Sequence, residues 1–172
     1  RMRACRIGGV LLCPCPPAPA APPPAPQLAA RAWVLTDLSS GQVLAAEKAG
    51  ERFAIASLTK LMSAYVVFGA LRDRRLEPAA QVQVSQRAWR TGGSRMFIEP
   101  GRAVSVEELI RGVVVQSGND AALALAESLA GSEDAFVALM NREAQRLGMR
   151  QTSFANATGA PAPGHASTAS DL

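Results

Sequence analysis

Ser57 and Lys60 stand three residues apart at the start of an apolar, helix-like run. On a helix, residues at that spacing share a face, so the hydroxyl and the amine can meet. A serine hydroxyl is a weak nucleophile and needs a base within hydrogen-bond reach. A lysine amine is such a base only when neutral, and burial or the positive end of a helix dipole lowers its pKa. Arginine cannot substitute, because it stays protonated in proteins. The sequence is rich in arginine and holds two lysines, Lys48 and Lys60, which makes a lysine at this position pointed. A second cluster, Ser117-Gly118-Asn119, falls between two helical patterns. From such a corner a serine and an amide can relay a proton and hold a substrate amide opposite the Ser/Lys pair. Taken singly, the first cluster also reads as a capping serine with a surface lysine, and the second as a turn. Their combination points to catalysis by a serine nucleophile.

Composition removes competing chemistries. The formal charge is +4, but Arg1, Arg3 and Arg6 supply much of it from an N-terminal tail. No basic stripe with interleaved aromatics follows, so no nucleic-acid partner is expected. Cys5, Cys13 and Cys15 all lie in that tail, which leaves the remainder without a disulfide framework or thiolate zinc site. His165 is the single histidine. One histidine cannot build a His-rich metal site, and a Ser-His-Asp triad would rest on it alone. No metal or cofactor is expected.

The elements that must position these groups follow from patterning. Residues 1–26 read as targeting and linker sequence. Basic Arg3 and Arg6 precede the apolar run Ile7–Leu12, Ala18-Pro19-Ala20 offers small residues at cleavage spacing, and Pro and Ala dominate thereafter. The run is far too short to span a bilayer. Residues 27–172 then form one folded unit. Ala32–Asp37 and Gln42–Ala45 flank Leu38-Ser39-Ser40-Gly41, a hairpin signal. From Ser57 onward Leu58, Leu61, Met62, Tyr65 and Val66 recur at helical spacing. Residues 81–101 look irregular. Ser105-Val106-Glu107-Glu108 opens a helix as a capping box, Asp120 is positioned to cap the next, and Ser132 a third that ends near Leu147-Gly148. One hairpin followed by a helical block gives an α/β (α+β) class.

Ser57-Leu58-Thr59-Lys60 resembles the nucleophile motif of the D-alanyl-D-alanine carboxypeptidases, the low-molecular-mass penicillin-binding proteins of the β-lactamase-like superfamily. Ser117-Gly118-Asn119 is similar to their second motif. Val34–Leu44, Arg95-Met96-Phe97-Ile98-Glu99-Pro100-Gly101, Leu109-Ile110-Arg111-Gly112, Phe136–Asn141 and Gly164–Ala169 carry the likeness over about residues 30–172. The resemblance implies a β-lactamase/DD-peptidase-like fold that acts on peptidoglycan pentapeptides outside the cytoplasm. It implies that Ser57 attacks the carbonyl between two terminal D-alanines, and that Lys60 takes the Ser57 proton. It further implies that Ser117 passes a proton to the leaving amine and that Asn119 binds the substrate amide. β-Lactams would then acylate Ser57 as covalent inhibitors. Peripheral membrane association, where the family shows it, would rest on regions outside this sequence.

The pattern also departs from the family. No lysine follows Lys60, so the third motif, Lys-Thr-Gly on a sheet strand, is missing. The expectation is therefore an N-terminal portion of the catalytic domain, without later sheet strands and with impaired turnover. The same reading expects an unstable, aggregation-prone chain whose hairpin and apolar helix lack cover. Ser170 and Ala160 stand where arginine and leucine are usual, and His165, in place of an aromatic, is read as structural. A class A β-lactamase would need Ser-Asp-Asn and a Glu-x-x-Leu-Asn segment. A muropeptide endopeptidase differs mainly in substrate, and a non-catalytic remnant would keep the fold without turnover.

Overall fold

Alanine determines how closely the helices approach one another. The structure, a computed structural model, describes residues 24–172. The leader-like signal and the three cysteines fall outside them. Helix α4 (Asn119–Ala130) has Asp120, Ala121, Ala122, Leu123, Ala124, Leu125 and Ala126 all buried. A helix that is apolar nearly all round must be enclosed. It is packed by α1 (Thr59–Arg72), α2 (Gln86–Arg90), α3 (Val106–Gln116) and α5 (Glu133–Arg146). Short alanine side chains let these neighbours come close, and Phe136, Leu109, Met140 and Val106 fill the space between.

The hairpin forms where the pattern placed it. Strands β1 (Trp33–Thr36) and β2 (Val43–Glu47) pair antiparallel, with Leu35 opposite Ala45 and an irregularity after it. The Asp37 carboxylate accepts from both the amide and the hydroxyl of Ser40, and these bonds hold its pKa below the usual range. Gly41, at φ 72°, closes the turn.

Residues 81–101 are more ordered than expected. Strand β3 (Gln81–Gln83) pairs antiparallel with β4 (Ala103–Ser105), and α2 lies between them, capped by Ser85. Three-residue strands are too short to show a period with confidence, although Val82 and Val84, both buried, alternate with glutamines. The capping box at Ser105 and Glu108 is present in full, and Ser132 caps α5. Asp120 caps nothing: α4 starts one residue earlier, with Gly118 as its N-cap.

Helix α1 is apolar on two faces. Met62, Val66, Val67 and Ala70 enter the core, while Leu61, Tyr65 and Phe68, together with Leu58 just before the helix, form an exposed stripe. Among the described residues no helix is long and apolar enough to cross a membrane. Both faces of the hairpin also leave Leu35, Val43 and Leu44 about half exposed, and two strands alone are marginal in water. Hydrogen exchange is therefore expected to be graded. Amides of β1 and β2 should exchange orders of magnitude faster than those of α4, which should open only with global unfolding. Equal protection of hairpin and α4 would contradict this.

Candidate active site

The first serine sits on a strained approach. Ala56 adopts φ 45°, a left-handed value unusual for a residue with a Cβ. This turns the chain into a single 3₁₀ turn, Ala56–Leu58, before α1 begins at Thr59. Ser57 is therefore exposed on the turn, whereas Lys60 lies in the first turn of α1 and is 5% exposed. Their spacing brings Lys60 Nζ to 3.5 Å from Ser57 Oγ. The amine donates more closely, at 2.7 Å, to the carbonyl of Thr158. Burial lowers the Lys60 pKa, the direction that favours a neutral amine.

Gly159, beside that carbonyl, is at φ +89°, and a Cβ built there would stand 1.9 Å from the Ala56 carbonyl oxygen. Only glycine lets the backbone approach the strained residue before Ser57 so closely. One helical turn after Lys60, Ser63 donates to the neighbouring Ala157 carbonyl at 2.7 Å. Sequence patterning missed this turn, because Asn156-Ala157-Thr158-Gly159 has the composition of any surface turn.

The histidine is committed elsewhere. His165 Nδ1 accepts from the Ala155 amide at 3.0 Å, which leaves the ring proton on Nε2, 2.7 Å from Thr59 Oγ1. It makes no hydrogen bond with Ser57, and burial pushes its pKa down. This geometry supports the structural reading and leaves no Ser-His pair.

The second motif is held as one piece with the segment before it. Ser117 ends α3 in the left-handed region, at φ 55°, and Gly118 turns into α4. The Asn119 amide nitrogen of the backbone donates to Ser94 O, and its Nδ2 donates to Gly92 O, each at 2.7 Å. No described residue donates to Asn119 Oδ1. Asp120, fully buried, accepts from the amides of Met96, Phe97, Ile98 and its own neighbour Ala121. Its carboxylate thus anchors the 96–98 segment, and Arg95 lies 4.0 Å from it. Ser57 and Lys60 meet, and Ser117 and Asn119 share a corner. Among the described residues no hydrogen bond joins the two groups, although α1 packs on both α3 and α4. No cluster of described residues could hold a metal ion.

A family model described as D-alanyl-D-alanine carboxypeptidase matches residues 19–172. The chain belongs to that family. It is 47% identical over 154 residues to the D-alanyl-D-alanine carboxypeptidase DacC of Escherichia coli (strain K12), covering 86% of this chain and 38% of that protein. Among solved structures, it is similar to the D-alanyl-D-alanine carboxypeptidase DacD from Francisella tularensis, with TM-score 0.86 and 40% identity. That match covers 88% of this chain and 37% of the solved one. It is also similar to penicillin binding protein 6B from Escherichia coli, with TM-score 0.84 and 42% identity, covering 89% of this chain and half, 50%, of the other. The fold is the DD-peptidase-like one expected, and the chain spans well under half the length of the curated relative it matches.

Two outcomes follow from this packing. Gly159→Ala should lower the unfolding free energy by about 2 kcal/mol or more, since its Cβ overlaps backbone and its φ is left-handed. An unchanged urea midpoint would refute the contact. His165, neutral in the fold, gives stability that is complete above about pH 6.5, the ordinary histidine value. Below that pH the unfolded chain binds the proton first, so stability falls until the folded-state value is passed. Urea titrations from pH 7.5 to 5 should show that slope in the native sequence and lose it in His165→Gln.

Proposed function

We propose that this chain carries the acylation centre of a serine D-alanyl-D-alanine carboxypeptidase. The observation that carries the reading is the Lys60 amine: it is buried, its pKa is depressed by that burial, and it lies within reach of the exposed Ser57 hydroxyl. In the apo state such catalytic contacts are often long and tighten when substrate binds. Ser57 Oγ attacks the carbonyl carbon between the two terminal D-alanines of a peptidoglycan pentapeptide. Lys60 Nζ takes its proton, and the peptide C–N bond breaks. The leaving D-alanine amine receives a proton through Ser117, and water later cleaves the Ser57 ester. In this reading Asn119 Oδ1, which receives no hydrogen bond from a described residue, accepts a substrate amide N–H. A β-lactam is attacked by the same hydroxyl, because its ring amide stands in for the dipeptide bond.

The organisation that fits this activity is a leader and linker over residues 1–26, followed by residues 27–172 as the N-terminal part of the catalytic domain. A substrate in the cell wall suits an extracytoplasmic, periplasmic protein.

A fluorescent penicillin tests the assignment. The purified chain should be labelled covalently, Ser57→Ala should not be labelled, and Lys60→Arg should label about 10²–10⁴ times more slowly, since a guanidinium cannot serve as the base. Labelling that survives Ser57→Ala would overturn the assignment of the nucleophile. A chain that is never labelled would favour a non-catalytic remnant.

A further inference from the structure

The Lys60 amine has two hydrogen-bond partners among the described residues, and one of them, the Thr158 carbonyl, belongs to a turn shaped by a single side chain. Asn156 Oδ1 accepts from the amides of Thr158, Gly159 and Ala160 at 3.2, 2.7 and 3.1 Å, and from the Thr158 hydroxyl at 3.2 Å. Its Nδ2 donates back across the turn to Ala160 O at 2.8 Å. Every backbone amide from 158 to 160 thus converges on one oxygen. With its amides drawn inward, the turn points two successive carbonyls, of Ala157 and Thr158, at Ser63 and Lys60 on α1.

The rest of the turn is tied down independently of Asn156. The Ala157 amide donates to Glu133 Oε1, whose other oxygen pairs with Arg87. Asn141 holds both the amide and the carbonyl of Phe154, and His165 accepts from Ala155. Glu133, Arg87 and His165 are the titratable groups of this network, and none of them bonds Lys60. What remains for Asn156 is the orientation of residues 158–160, the part that meets the Lys60 amine and, through Gly159, the backbone of Ala56.

We propose that Asn156 is a positioning residue for the Ser57/Lys60 pair, fixing the Thr158 carbonyl that holds the lysine and the glycine that backs the serine. It touches neither reacting atom. The inference rests on the reading of Ser57 as nucleophile and Lys60 as its base. In Asn156→Ala the turn loses its acceptor, residues 158–160 open toward water, and the lysine is freed from its fixed place. In Asn156→Ser a hydroxyl replaces the amide and holds the turn more weakly.

The test uses the whole 172-residue chain in three forms: native, Asn156→Ala and Asn156→Ser. Acetic anhydride competition against pH, read by mass spectrometry, follows each lysine separately. Lys48, exposed just after β2, is the internal reference. The pH at which Lys60 becomes reactive should move upward in Asn156→Ala and by less in Asn156→Ser, while Lys48 does not change. Penicillin labelling of Ser57 should slow about 10²-fold in the alanine variant, as misplacement of about 1 Å commonly costs, with the serine variant between. A Lys60 profile unchanged in both variants overturns the proposal, whatever the labelling does, because a merely structural side chain would lower the folded fraction without moving that midpoint. The lysine profile is read without penicillin. A native chain that is never labelled therefore counts against the nucleophile reading and not against this one.

Discussion

A buried amine suspended between a serine hydroxyl and a backbone carbonyl organises this molecule. Burying an ammonium without a counter-ion is costly, and the usual outcome is a depressed pKa. Lys60 meets that condition. Among the described residues no carboxylate bonds it, and its close partner is the neutral oxygen of Thr158. An ion pair there would favour the charged amine and oppose the downward shift that burial produces. The surrounding structure therefore has to supply polar contacts without negative charge, and a carbonyl from a turn 98 residues away in sequence does so.

Around that contact the chain places strain where it is over-determined. Ala56 and Ser117, both in the left-handed region, lie beside or within the two serine motifs. Such conformations cost of order 1–3 kcal/mol and persist where neighbours enforce them. Gly159 packs on the first, while the Gly118-to-Gly112 hydrogen bond closes the second. The core behind them is α4, whose alanines allow four other helices to converge near the site.

Much of this was legible in residue order. The hairpin, the capping box at Ser105 and the cap at Ser132 each depend on contacts within a few residues, and local chemistry is what a sequence displays directly; the helix expected from Ser57 instead begins at Thr59, after a 3₁₀ turn. The pairing of Ser57 with Lys60 is legible for the same reason. Three features were not. Strand β3 finds its partner some twenty residues away across α2 and is too short to announce itself. Asp120 has the composition of a cap, but the helix starts one residue ahead of it, which turns the carboxylate inward to amides 22–24 residues earlier. The turn at 156–160 looks like any exposed loop until the fold brings α1 beneath it. In each case the deciding partner is distant in sequence.

The anchoring of Asp120 restricts what evolution can put there. Its two oxygens receive four backbone amides and offer nothing in return. Asparagine would turn a donor toward donors, and glutamate, longer by a methylene, would push residues 96–98 outward. Of these three side chains, only aspartate matches the donors in both charge and length. Drift at this site would release the segment that Asn119 also holds, so that an outwardly conservative exchange inside the core would be felt first at the Ser117–Asn119 corner.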